Sequence, residues 1–206
     1  MARLESLGSE QTRKTYIRHG AQPENLFGVK YGDMEKLARE IKTDHELALA
    51  LWETGNHDAR VLATRIIDVD KISAKLLDTW IKELQHRILS YDFSAMVTRS
   101  KYAGGHGKKW RRSKKEWVGC IGWHIVADQC AKRSDEVDEA ALAEFLGQIE
   151  AGIDDAPNMT RYAMNNALIA IGGYSPELRK LATASAKRIG KVEVDHGDTA
   201  CQTPDA

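Results

Sequence analysis

Cysteine and proline are scarce in this chain, and neither sign of charge is in surplus. Cys120, Cys130 and Cys201 are the only cysteines in 206 residues. The first two fall on one expected helix, about 15 Å apart along its axis, too far to bridge. So sparse a set argues against a disulfide-built secreted scaffold and points to reduced thiols and a cytoplasmic location. Four prolines and three phenylalanines leave few enforced breaks and suit helices. No 18-residue apolar run occurs, so no membrane span is expected, and "MARLESLGSEQTRK" offers no apolar stretch for export. Thirty basic residues balance thirty acidic ones, which argues against a binder of polyanions that is basic throughout.

What the chain does have is helical periodicity. At this length roughly 70% of the unfolded surface can be buried, so a core needs no staples. In "GDMEKLAREIK", Met34, Leu37, Ala38 and Ile41 form one stripe, with Asp33 as the expected cap. "DHELALALWETG", "HDARVLATRII" and "SAKLLDTWIKELQ" continue the pattern, with Asp44, Asn56 and Ser73 at their starts. Later come "KEWVGCIGWHIVADQCA", "EVDEAALAEFLGQIE", "APNMTRYAMNNALIAIGG" and "SPELRKLATASAKRIG". Gly172 and Gly173 are expected to end one helix in a left-handed cap, and Ser175-Pro176 to start the next. Strand-type alternation is lacking. Paired helices with short loops predict an all-α stack of antiparallel helical hairpins over residues 1–190, followed by a polar tail, 191–206. Helix 114–131 is apolar nearly all round and therefore central. Gly119 and Gly122 within it imply the close approach of another backbone or of a ligand.

Positive charge is concentrated in one place. Lys108, Lys109, Arg111, Arg112, Lys114 and Lys115 surround Trp110 after a flexible "AGGHG". Outside this window 24 basic residues face 30 acidic ones, a net −6. Such a cluster suits phosphates, and Trp110 suits a base or sugar; alternatively the run is a solvated face. Tyr91 and Asp92 suit a ribose contact or stabilisation of positive charge, or else a simple cap with an aromatic beside it. In "NHDAR", His57, Asp58 and Arg60 read as a structural network. Asn165 and Asn166 are poor mid-helix residues that need partners on a neighbouring helix or a ligand. Tyr162 and Asn166 share a face, and Asn158, Tyr162 and Asn165 line up as well. In the tail, Asp195, His196, Asp198, Thr199 and Cys201 have the donors for a metal but no ligand-spacing frame, so no metal or cofactor is expected.

"NLFGVKYGDMEKLAREIKTDHELALALWETGNHDARVLATRIID" resembles the amino-terminal half of the bacterial DNA alkylation repair proteins, the AlkD-like group of alkylpurine glycosylases. The pattern is carried by Phe27, Gly28, Val29, Leu47, Ala48, Leu51, Trp52, His57, Ala59 and Arg60, and it extends through "KEWVGCIGWHIVA" and "RYAMNNALIAIGG". The resemblance implies a curved superhelix of HEAT-like repeats with duplex DNA on a basic, concave face. It also implies hydrolytic release of alkylated purines, in which a W-D-x-x-D segment flanks the damaged nucleotide. The matching stretch here is "YDFSA": Tyr91 stands for the Trp, Asp92 keeps the first acid, and Ala95 replaces the second. A further Arg of the family falls on Cys120 and a second Trp on Asn166.

The leading expectation is therefore DNA binding through Lys108, Lys109, Trp110, Arg111, Arg112 and Lys114. Tyr91 and Asp92 are the candidate catalytic residues, and Trp123, Tyr162 and Asn166 the candidate pocket. The alternatives are a non-catalytic helical scaffold for protein or nucleic-acid partners and a metal-dependent site in the tail.

Overall fold

A computed structural model of the protein describes residues 1–132 and 138–206. Among the described residues there are twelve α-helices and no strand; one isolated bridge pairs Gly8 with Val29. In chain order the helices are α1 (Ala2–Leu7), α2 (Glu10–Arg18), α3 (Tyr31–Ile41), α4 (His45–Glu53), α5 (His57–Ile66) and α6 (Ala74–Trp80). Then follow α7 (Arg87–Thr98), α8 (Ala103–Trp110), α9 (Glu116–Lys132), α10 (Glu139–Gly152), α11 (Asn158–Gly172) and α12 (Pro176–Ile189). The backbone forms two compact units, Met1–Met96 with Gly197–Thr199, and Val97–His196 with Ala200–Ala206.

Local chemistry sets most helix starts. Asp44, Asn56, Ser73 and Ser175 accept the N–H groups of Leu47, Ala59, Leu76 and Leu178 at the starts of α4, α5, α6 and α12. Each such cap contributes about 1 kcal/mol. Two expected signals are corrected. α3 already begins at Tyr31, so Asp33 lies inside its first turn and pairs with Lys36 instead of capping. α11 ends without a left-handed residue: Gly173 has φ −82° and bonds back to Ile169 and Ala170. Gly172 is there for packing, because a Cβ on it would come within 3.1 Å of the Ala182 Cβ. The helix expected from Glu136 is α10, capped by Asp138; its residues 136 and 137 lie outside the described residues.

In the first unit, Trp52 and Trp80 stack with centroids 3.9 Å apart, and Phe93 tilts against them. The Arg60 guanidinium lies over Trp52, donates to its carbonyl and pairs with Glu83. Asp58, fully buried, accepts three main-chain N–H groups, from Phe27 (2.7 Å), Gly28 (3.1 Å) and Val29 (2.8 Å). The "FGV" and "HDAR" segments thus need one another. Gly28, at φ +79°, could not be another residue, since a Cβ would sit 2.5 Å from the Arg13 nitrogen.

His57 and His86 form a buried pair, with Nδ1 of the first 3.2 Å from Nε2 of the second. One ring nitrogen must donate and the other accept, so the pair is built for neutral imidazoles. Burial lowers the His57 pKa to about 4. Burial, with His57 and Arg60 adding to it, lowers His86 to about 3. Unfolded histidines take up protons near pH 6.5, so the stability held by this pair is complete above that pH and is lost as pH falls toward 4. At pH 5 the expected loss is about 1–2 kcal/mol per histidine. Urea midpoints between pH 7 and pH 5 measure it, and an unchanged midpoint would refute the neutral pair.

In the second unit, α9 is the buried axis, apolar on nearly every side as expected. It begins at Glu116 because Ser113 turns the preceding chain, bonding its hydroxyl to the Lys115 N–H. Glu116 then accepts the Met159 N–H with its carboxylate and the Thr160 hydroxyl with its carbonyl, tying the start of α11 to α9. Gly119 faces Thr160, and Gly122 faces the backbone of Trp110 and Arg111, so both glycines serve close packing.

Candidate nucleic-acid interface

The basic segment is built on a helix. "AGGHG", expected to be flexible, forms most of α8, with Gly107 against Ile125 of α9 and Ala103 and His106 buried. Trp110 closes this helix at 2% exposure, its ring set edge-to-face with His106 at a centroid distance of 4.7 Å. The reading in which Trp110 covers a base or sugar gives way: an indole that anchors α8 to the core has no free face.

Its burial organises the cations around it. Lys108 and Lys109 are exposed on the last turn of α8, where the helix dipole favours positive charge. Arg111 turns inward, its guanidinium 4.0 Å from the Phe145 ring and its Nε donating to Gln148 at 3.2 Å. Burial, and then the neighbouring Arg112, lower the Arg111 pKa. Arg112, Lys114 and Lys115 project to solvent, and with Lys108 they make no ion pair among the described residues. A groove of about 440 Å³ runs beside them, bordered by Arg112, Lys114, Trp123 and Thr160. A second, of about 280 Å³, is bordered by Lys108, Arg112 and Glu144. Arg112 therefore stands on the rim of both grooves. Trp123, at 3% exposure, gives the groove little surface.

Tyr91 and Asp92 lie on α7 in the first unit. Arg87 is stacked over the Tyr91 ring at 5.6 Å. Asp92 has no free oxygen: Oδ1 accepts from Nε and Nη2 of Arg65 at 3.0 and 2.8 Å, and Oδ2 from the Tyr31 hydroxyl at 2.7 Å. The carboxylate is 11% exposed. Burial pushes its pKa up, while Arg65 and Tyr31 pull it back. Although Tyr31 is 41% exposed as a residue, its hydroxyl end is turned into the cluster. Burial there, then the charge of Asp92, raise the phenol's pKa. Such a carboxylate is neutralised before any ligand arrives and has little field left for a developing cation. Sequence reasoning missed Arg65 and Tyr31, which lie 27 and 61 positions from Asp92 with no local signal to join them.

Of the remaining expected residues, Tyr162 is buried on α11 with its ring edge-on to His196, and Asn166 is half-buried. Its neighbour Asn165, at 1% exposure, donates to the Pro204 carbonyl at 2.9 Å. In the tail, His196 Nε2 meets the Thr203 hydroxyl at 2.9 Å. Among the described residues no three His, Cys, Asp or Glu gather where they could hold a metal. Nor is any described helix long and apolar enough to cross a membrane.

Residues 1–192 match the family model described as DNA alkylation repair enzyme. The chain is 30% identical to an uncharacterized protein of Listeria innocua and 31% identical to one of Listeria monocytogenes, each alignment covering 98% of this chain and 90% of the relative. A solved structure superposes with a TM-score of 0.91 at 32% identity, over 100% of this chain and 88% of the other. It is described as representing a new family of proteins related to the HEAT-like repeat DNA glycosylases, with affinity for branched DNA structures. The twelve helices are accordingly a HEAT-like repeat fold, and the chain belongs to the DNA alkylation repair enzyme family.

Proposed function

We propose that the protein binds DNA through the cationic edge of its second unit, with Lys108, Lys109, Arg112 and Lys114 on phosphates, and that it does so without excising bases. The observation that carries this is the set of exposed, unpaired cations held on a rigid support. Lys108, Arg112, Lys114 and Lys115 make no ion pair among the described residues, while Trp110 and Arg111 anchor the backbone between them. A solvated face of no consequence would not need that anchoring. Arg111 serves the anchor rather than the ligand. The solved relative with affinity for branched DNA favours a junction over a plain duplex as the ligand.

Fluorescence anisotropy with a duplex and a four-way junction tests the reading. With about four phosphate contacts, affinity falls roughly a hundredfold between 50 and 200 mM salt. Neutralising Lys108, Lys109, Arg112 and Lys114 together to Gln weakens binding and flattens that slope. Absence of measurable affinity for either DNA at low salt would end the proposal. Base excision is not expected, because Ala95 occupies the second acid position and Asp92 is already bound by Arg65 and Tyr31. Methylated DNA should release no free purine above background; release that Asp92→Asn abolishes would reverse this part.

A further inference from the structure

Residues 191–206 have no regular secondary structure, yet this strap is tied to one face of α11 at Glu193, Asp195 and Pro204. Asn158, Arg161 and Asn165 share that face at i, i+3 and i+7. Asn158 clasps a single residue of the strap, donating from Nδ2 to the Asp195 carbonyl (2.7 Å) and accepting the Asp195 N–H on Oδ1 (2.8 Å). Arg161 donates to the Glu193 carbonyl at 3.1 Å, and its other N–H groups are fixed on the carbonyls of Ile153, Asp154 and Ala156. Asn165 donates to the Pro204 carbonyl.

The bonds that reach the strap all end on its main-chain atoms, those of Glu193, Asp195 and Pro204. In an extended chain the N–H and C=O of one residue point to the same side, which matches the two ends of one carboxamide. Burial alternates accordingly: Val192, Val194 and His196 are half-buried, while Glu193 and Asp195 are exposed. The strap and these three α11 side chains line an open groove of about 940 Å³. If the strap leaves, the buried Asn165 amide loses this acceptor, so the face favours an extended chain lying on it.

We propose that the Asn158, Arg161 and Asn165 face is a binding site for the main chain of an extended polypeptide segment of a partner protein, with the strap that carries Glu193, Asp195 and Pro204 as its occupant in cis. The strap itself indicates the chemistry accepted there: an extended main chain whose Glu193 and Asp195 side chains stay exposed. This goes beyond DNA binding and does not depend on it.

The test uses the full chain. Asp195→Pro removes the N–H that Asn158 accepts and leaves the α11 face intact. A labelled peptide of residues 191–206 is titrated into wild-type and Asp195→Pro protein. In the wild type the tethered strap competes at an effective concentration of about millimolar, so the peptide binds the variant at least tenfold more tightly. Adding Asn158→Ala to the variant abolishes binding, as does placing the Asp195→Pro change in the peptide. Hydrogen exchange of residues 192–204 reports release of the strap in the variant. Equal binding to both proteins, failure to bind a variant whose strap is released, or a strap that stays protected in the variant would each overturn the proposal. Displacement of the peptide by a DNA duplex would assign the face to nucleic acid instead and overturn it as well.

Discussion

Asp58→Ala is expected to cost about 3–5 kcal/mol of stability. The carboxylate is fully buried and accepts three N–H groups at 2.7–3.1 Å. Bonds to an ionised acceptor are roughly twice as strong as neutral ones. Alanine leaves the buried donors of Gly28 and Val29 without a partner and no side chain to draw water toward them. Asp58→Asn keeps one oxygen and should fall between alanine and wild type. The damage spreads to α2, because the Tyr16 hydroxyl donates to the Val29 carbonyl at 2.8 Å. Burial, and then the negative charge of Asp58, hold that phenol's pKa up at about 12. Urea denaturation followed by tryptophan fluorescence measures the loss, since Trp52 and Trp80 stack in the same unit. A change below about 1 kcal/mol would mean that water replaces the carboxylate.

Gly122→Ala is the second large effect, at about 3 kcal/mol or more. An added Cβ would lie 2.1 Å from the Arg111 nitrogen, 2.6 Å from its Cα and 2.6 Å from the Trp110 carbonyl carbon. All three are backbone atoms, so no rotamer change relieves the clash. The chain from Trp110 to Lys114 must back away from α9, carrying the cationic edge with it. DNA affinity should therefore fall together with the melting temperature. Gly104→Ala is the control: it lies in α8 with nothing within 4 Å of its would-be Cβ. There alanine should stabilise by about 0.5–1 kcal/mol through helix propensity alone. If both variants behave alike, the Gly122 contact is not what seats the segment.

The parts of the fold legible in the sequence are those fixed within a few residues. Asp44, Asn56, Ser73 and Ser175 cap the helices they were expected to cap, because capping links a side chain to an N–H only two or three positions on. The buried character of α9 was equally visible, since apolar residues all round a helix leave it no wet face. α1 and α2 went unseen; they are short and mostly polar, with only Leu4 and Tyr16 buried. The glycine-rich start of α8 was misread as flexible because propensity counts what Gly104 and Gly105 lack, not what Gly107 gains against Ile125.

The candidate site divides along the same line. The positive charge of residues 108–115 is a property of composition, and any fold would have had to solvate or use it. Which cations remain free was decided by packing: Phe145 and Gln148 draw Arg111 inward, and the core takes Trp110, leaving Lys108, Arg112 and Lys114 outside. Likewise the sequence placed an acid at Asp92, but only the folded chain brought Arg65 and Tyr31 onto it. The helical class, the family and the presence of a polyanion-sized charge cluster were determined by the sequence itself, because periodicity, capping and charge are local quantities. The fate of each charge was settled by tertiary structure, because desolvation and pairing depend on neighbours that lie tens of residues away along the chain.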